Sequence, residues 1–151
     1  MDIDPQTLIV IVTGSHLTAE REDRPLAYQL EAGIRERLEA RFGPPVFGEP
    51  WPLSPIICSD IWYLNHPELR ARPTISIGHP GVNALAAYLG DKVPSAYAVK
   101  DVLVVQCDVE MNELVASCWG ENASSTATAV EAFSDRYLTP FLKAAMREID
   151  S

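Results

Sequence analysis

One short segment constrains the fold of this chain more than any other. Residues 8–13 read Leu-Ile-Val-Ile-Val-Thr, and Gly14 and Ser15 follow at once. A continuous β-branched run that ends in glycine is typical of a strand buried on both faces of a parallel sheet. Such sheets occur in proteins whose helices cover both faces, so this run predicts an α/β fold.

The next segments alternate as an α/β fold requires. Residues 16–23 are polar and are expected to form a loop, and an apolar stripe at helical spacing predicts a helix from about 25 to 42. Apolar runs predict further strands at 55–60 and 74–78, and a helix is expected to follow with its apolar side at 82–89. These elements favour an open, mostly parallel sheet of the three-layer flavodoxin or Rossmann type.

The last third of the chain has a different pattern. Residues 102–108 and 114–119 flank a polar turn, which predicts an antiparallel hairpin, and residues 95–100 are expected to add an edge strand. A long C-terminal helix is expected over 123–147, kinked or restarted at Pro140. The parallel sheet therefore gains an antiparallel extension.

Composition limits the partners. The chain has 151 residues, 47% of them hydrophobic, so it can bury one core and we expect a single domain over 1–151. The formal net charge is −9 and no basic cluster stands out, which argues against nucleic-acid binding and against an anionic membrane surface.

Cys58, Cys107 and Cys118 lack C-x-x-C spacing, the first residues are acidic, and no apolar run could span a bilayer. These features predict reduced thiols and a cytoplasmic protein, with Cys107 and Cys118 facing each other across the hairpin.

Polar residues follow the predicted parallel strands. In open α/β sheets, ligands bind outside the carboxyl ends of the strands, near the point where strand order reverses. If the first and third strands are neighbours, His16 and His79 share one rim. The residues that we expect to bind a ligand are Thr13, Gly14, Ser15, Gly78, His79, Gly81 and Asn83.

The turn at 78–81 is the best candidate for an anion site. Its glycines allow close approach of the backbone, and the N–H groups of the following helix would face a phosphate or carboxylate. Ser15 could add a hydroxyl. We therefore expect an anionic small molecule, such as a nucleotide or sugar phosphate, although a plain strand-to-helix turn explains the same residues.

Catalytic and metal-binding arrangements are weaker alternatives. Ser15 or Cys58 could attack, His79 or His16 could accept the proton, and Asp60 could orient the imidazole, but no G-x-S-x-G motif is present. The same histidines with Asp60 or Cys58 lack metal-ligand spacing, so we predict no metal and no cofactor. Should the chain be an enzyme, a hydrolase or transferase acting on a glycosidic or ester bond is expected.

Two other groups of residues stay open. Glu20 or Glu22 could act as a general base, or could belong to a solvated helix start. Trp51, Trp62 and Tyr63 could stack on a ligand, or could pack on the sheet.

The chain has two local resemblances to known families, and only the second implies a ligand. Residues 75–85, Ile-Ser-Ile-Gly-His-Pro-Gly-Val-Asn-Ala-Leu, resemble a strand–turn–helix segment of archaeal S-layer domains, with His79 in place of a second glycine. Residues 11–15 resemble the first strand and turn of SLOG domains and of nucleoside deoxyribosyltransferase-like folds. The second resemblance implies a nucleotide at the strand end and a carboxylate that acts on a glycosidic bond.

A non-catalytic assembly domain is the rival hypothesis. It predicts a homodimer or higher homo-oligomer, in which an edge strand such as 114–119 pairs with its copy across a two-fold axis.

Overall fold

The computed structural model describes residues 5–46 and 50–150. Within them, 3₁₀ turns cover Pro5–Thr7 and Pro67–Ala71, and a π-helical segment covers Ser134–Leu138. The strands are β1 Leu8–Thr13, β2 Ser54–Ser59, β3 Thr74–Ile77, β4 Ser95–Val99, β5 Leu103–Cys107 and β6 Val115–Gly120. The helices are α1 Leu17–Glu22, α2 Arg24–Phe42, α3 Asp60–Leu64, α4 Ala84–Leu89, α5 Ala123–Phe133 and α6 Thr139–Asp150.

These strands form one sheet in the order β2-β1-β3-β6-β5-β4. β1 is parallel to β2 and β3, and β3 is parallel to β6, whereas β5 runs antiparallel to β6 and β4. The predicted α/β fold, with a mostly parallel sheet and an antiparallel extension, is confirmed at this level. β4 is the predicted edge strand.

The expectation that residues 114–119 form an exposed edge is wrong. This segment forms β6, which lies inside the sheet: Ile75 pairs with Ala116 on one side, and Val105 pairs with Cys118 on the other. Ala116 and Cys118 are fully buried because α5 follows β6 and packs into the same core. The hairpin therefore joins the parallel sheet through its second strand.

The cysteines are free and buried, as reduced thiols would be. However, Cys107 and Cys118 are not opposite each other, because Cys107 pairs with Ala116 and Cys118 pairs with Val105. The two thiols are thus offset by one step along the ladder.

Side chains of β1 divide between two hydrophobic clusters. Ile9 and Ile11 pack in one cluster with residues of α2, α5 and α6, while Val10 and Val12 pack in another with residues of α3 and α4. Alternate strand residues point to opposite faces, so apolar layers contact both faces of β1. The prediction that this strand is buried on both faces is confirmed.

The helix predicted from 25 to 42 is α2. Its stripe residues Leu26, Leu30, Ile34 and Leu38 are all buried. It ends at Gly43, where φ is +78° and the amide donates to the Glu39 carbonyl at 2.8 Å. A positive φ of this kind favours glycine at a helix end.

The loop predicted over 16–23 is instead α1. The His16 ring accepts a hydrogen bond from the Thr18 amide at 3.2 Å and caps the helix, and Ala19 is its one fully buried side chain. So short a helix, held by a cap and one small apolar contact, has no periodic apolar signal.

A long helical segment ends the described chain, as predicted. α5 passes into α6 through the π-helical segment, and Pro140 lies in the first turn of α6, where its missing N–H is tolerated best. Phe133, Leu138 and Phe141 are fully buried along this path. No helix among residues 5–46 and 50–150 is long and apolar enough to cross a membrane.

Candidate functional site

Strand order reverses at β1, which has β2 on one side and β3 on the other. This is where the ligand crevice of an open α/β sheet is expected. Here the crevice is filled by the chain itself: a Cβ added to Gly14 would overlap the carbonyl group of Val82. Gly14 therefore allows the loop after β3 to lie directly on the end of β1.

Asp60 joins the ends of three strands. Its Oδ1 accepts a hydrogen bond from the Ser15 hydroxyl at 2.6 Å, and its Oδ2 accepts one from the Ala84 amide at 2.7 Å. Asp60 is only 4% exposed. Ser15 thus contacts Asp60 directly, and no hydrogen bond links Asp60 to a histidine within the described ranges.

Asn83 caps α4 from inside the protein. Its Oδ1 accepts hydrogen bonds from the Leu85 and Ala86 amides at 3.0 and 3.2 Å. Its Nδ2 donates to the Ile77 carbonyl at 2.9 Å and to the Ser76 hydroxyl at 3.1 Å. The first amides of α4, which the sequence analysis offered to an anion, are therefore bonded to Asp60 and Asn83.

Both glycine amides of the 78–81 turn also have protein partners. The Gly78 amide donates to the Cys118 carbonyl at 3.0 Å, and the Gly81 amide donates to Nδ1 of His79 at 2.9 Å. Thr13 is fully buried, and its hydroxyl has no partner among the described residues. The predicted ligand residues are thus close together in the fold, but most of their polar atoms hold the strand ends in place.

Cys58, one of the two predicted nucleophiles, does not have the surroundings that reactivity needs. Burial raises the pKa of the Cys58 thiol to about 11, so it stays protonated near neutrality. His16 is exposed and caps α1. Among residues 5–46 and 50–150, no three His, Cys, Asp or Glu side chains are placed to hold a metal ion.

An open cleft lies next to this closed crevice, between the ends of β3 and β6. We call it the acid cleft, and its volume is about 220 Å³. Three carboxylic acids contribute to its lining. Its lining includes the side chains of Thr18, Glu22, Asp23, His79, Glu121 and Thr126.

Asp23 is the least expected member of the acid cleft. It lies between α1 and α2 and is 4% exposed, and its carboxyl group has no hydrogen-bond partner among the described residues. Burial raises the pKa of Asp23 to about 6, and the nearby Glu22 carboxylate adds to the effect. Asp23 falls in the polar segment 16–23, which the sequence predicts to be a loop, and nothing in that segment indicates that one carboxyl group is buried.

Gly78 provides space for the Asp23 carboxyl group. A Cβ at Gly78 would lie 2.5 Å from Oδ2 of Asp23, and φ of Gly78 is +120°. The positive φ favours glycine at this position, and a side chain here would displace the Asp23 carboxyl group. The turn thus accommodates an acid of the protein itself.

His79 contributes a hydrogen-bond donor. Because its Nδ1 accepts the Gly81 amide, the neutral ring carries its proton on Nε2. The ring packs edge-on against Trp119 with centroids 5.0 Å apart. His79, which the sequence analysis selected, is therefore placed at the acid cleft with a fixed ring.

The aromatic residues of the connections have structural contacts. Trp51 Nε1 donates to the Gly43 carbonyl at 2.9 Å, and Tyr63 is 3% exposed with its hydroxyl 3.0 Å from that of Thr74. Trp62 is 46% exposed and stacks on His66. Of the three, only Trp62 presents a large exposed face.

Comparisons with known proteins do not indicate which ligand or activity the acid cleft has. No protein-family model matches the chain, and no curated protein is significantly similar to it. The resemblances at 11–15 and 75–85 therefore stay predictions, and the functional argument depends on the geometry of the acid cleft.

Proposed function

We propose that this chain binds a neutral or cationic small molecule in the acid cleft and exchanges a proton with it through Asp23. The observation that carries the proposal is the Asp23 carboxyl group. Asp23 is 4% exposed, its side chain makes no hydrogen bond to another described residue, and it lines the cleft. A hydroxyl or amine of a ligand in the cleft would donate a hydrogen bond to this carboxyl group.

The charge of the acid cleft supports this ligand class. Glu22, Asp23 and Glu121 line it, and no described lysine or arginine does. Such a lining repels phosphates and carboxylates. The expected nucleotide or sugar phosphate remains a prediction from sequence, but the acid cleft favours the uncharged nucleoside, sugar or amine.

The cleft has the groups that proton transfer requires. Near neutrality, the protonated and the ionised form of a carboxyl group with a pKa of about 6 are both populated. The N–H at Nε2 of His79 can donate to a substrate oxygen. These two groups support acid–base chemistry on a hydroxyl-bearing substrate.

We also propose that the fold is of the three-layer flavodoxin- or Rossmann-like class, which the two core clusters support. We propose a cytoplasmic location as well, which the free cysteines support.

A thermal-shift screen tests the proposal. Nucleosides, neutral sugars and polyamines are compared with nucleotides and sugar phosphates, for wild type, Asp23→Asn and the control Glu36→Gln, which removes an exposed acid of α2 outside the cleft. A ligand at 100 times its Kd adds about 2.7 kcal/mol, or roughly 5–10 °C for a chain of this size. We expect hits among the uncharged or cationic compounds that Asp23→Asn abolishes and Glu36→Gln retains. Equal stabilisation of Asp23→Asn would refute the role of Asp23.

The edge strand β4 supports a second candidate function, homo-oligomeric assembly. Among the strands that the structure describes, β4 pairs with β5 alone, and it contains no proline and leaves Val99 42% exposed. Unpaired edges of this kind can pair with a second copy. We expect light scattering to show a wild-type dimer and an Ala98→Lys monomer, whereas a monomeric wild type would remove this candidate.

A further inference from the structure

A second cavity, of about 310 Å³, lies between α3, the Pro67–Ala71 turn and α4. It includes Val115, the first residue of β6, whereas the acid cleft includes Gly120, the last residue of β6. The two cavities share no lining residue. The volume of the second cavity is at the lower end of the range for small-molecule sites.

The floor of this cavity is apolar. Leu85 and Leu89 of α4 are 4% and 8% exposed, and Val115 adds a branched side chain. Tyr63 also lines the cavity. Its hydroxyl is within hydrogen-bond distance of the Thr74 hydroxyl, so the part of Tyr63 left for a ligand is the ring. The floor therefore suits an apolar body.

The rim carries positive charge. Arg70 and Lys92 line the cavity, and no described aspartate or glutamate does, although the chain has a net charge of −9. Arg70 is held in place by a 2.9 Å hydrogen bond from Nη2 to the Leu64 carbonyl. We call this site the cation-rimmed cavity.

Lys92 is available to a ligand. Its Nζ lies 4.2 Å from the centroid of the Tyr88 ring and 3.2 Å from Oδ1 of Asp91. The Asp91 side chain is 85% exposed, so water screens this pair and it holds Lys92 weakly. Tyr88 is itself 49% exposed beside the rim.

From this combination we infer that the cation-rimmed cavity binds a small monocarboxylate with an apolar, preferably aromatic, body. The body would lie on the Leu85–Leu89 floor beside Tyr88, and the carboxylate would reach Arg70 and Lys92. Charge-assisted hydrogen bonds to a guanidinium are among the strongest polar contacts, and its planar fork matches a carboxylate. A ligand with the same body and a different head group would lose this contribution.

Three probes that share a phenyl ring and a four-carbon chain test the inference by calorimetry: 4-phenylbutyrate, 4-phenylbutanol and 4-phenylbutylamine. We expect the carboxylate to bind about tenfold more tightly than the alcohol, because only it gains charge-assisted contacts, and the amine to bind weakest. The double variant Arg70→Gln/Lys92→Gln should lower carboxylate affinity to that of the alcohol and leave alcohol binding unchanged. Both cations are exposed, so the variant should fold normally.

Arg41→Gln/Lys143→Gln is the matched control. It removes the same charge from a separate groove between α2 and α6, and should leave all three affinities unchanged. Equal binding of the probes, a carboxylate preference that survives Arg70→Gln/Lys92→Gln, or a preference lost only in the control would overturn the inference. Asp23→Asn should not affect phenylbutyrate binding, so this inference and the proposed function can fail separately.

Discussion

The acid cleft and the cation-rimmed cavity lie at opposite ends of β6 and differ in where their charges sit. In the acid cleft, the Asp23 carboxyl group is buried and unpaired. In the cation-rimmed cavity, Arg70 and Lys92 stand in water above an apolar floor. A buried charge affects folding and pH dependence as well as binding, whereas an exposed rim charge affects recognition alone. The two sites should therefore respond differently to substitution.

The largest effect is expected from Gly78→Ala. A methyl group there overlaps the Asp23 carboxyl group and requires alanine to adopt a φ of +120°. We expect a loss of stability on the order of 3 kcal/mol in urea unfolding. As a control, Gly33→Ala in α2 meets only the end of Arg37 at 3.4 Å, and should be neutral or stabilising.

A double variant separates the two causes. If the carboxyl group is part of the obstacle, Asp23→Ala should recover some of the stability that Gly78→Ala loses. Strict additivity of the two substitutions would show that Gly78 and Asp23 are not in contact.

Asp23→Asn is expected to have the next largest effect, and one that depends on pH. Because folding raises the pKa of Asp23 from 3.8 to about 6, wild type loses stability as pH rises through this window and does not regain it above. Asn avoids that penalty. The rise of the Asp23 pKa corresponds to about 3 kcal/mol at most, and water in the open cleft screens part of it. The variant should therefore be more stable than wild type by about 2 kcal/mol at pH 8 and nearly equal to it below pH 4. Urea unfolding at both pH values measures the difference. A constant difference at both pH values would contradict the raised pKa.

The smallest effect is expected at the cation-rimmed cavity. Arg70→Gln/Lys92→Gln removes exposed charges. The weak Lys92–Asp91 ion pair, the contact of Lys92 with the Tyr88 ring and the hydrogen bond from Arg70 to the Leu64 carbonyl are lost with them, all at the surface. We expect the free energy of unfolding to change by less than about 1 kcal/mol at any pH from 4 to 8. A larger loss would show that these cations stabilise the fold, and the contrast between the two sites would disappear.

The sequence predicted the elements with strong periodic signals. The continuous apolar run at 8–13 indicates one structure, a strand buried on both faces of a sheet. The apolar stripe of α2 likewise indicates one structure, a helix with one buried face. α1 escaped prediction because it buries little more than Ala19. The central position of β6 also escaped, because strand order depends on pairing between distant segments.

The candidate site was predicted in place but not in detail. The carboxyl ends of the strands and His79 follow from the general rule for open sheets. However, the same residue types serve as ligand contacts and as internal braces. Asn83 and Ser15 turned out to be bonded within the protein. Asp23 was missed because burial of one acid in a charged run depends on the packing of α1, α2 and the 78–81 turn.

The most direct test of the account is a ¹³C NMR titration of the Asp23 carboxyl group, assigned with Asp23→Asn. If the Asp23 carboxyl group is desolvated as the structure indicates, its titration midpoint is near pH 6 in the free protein. We also expect that an amine- or hydroxyl-bearing ligand which pairs with the carboxylate lowers that midpoint. A midpoint near pH 4, as for an exposed aspartate, would show that Asp23 is solvated and would contradict the proposed role of the acid cleft.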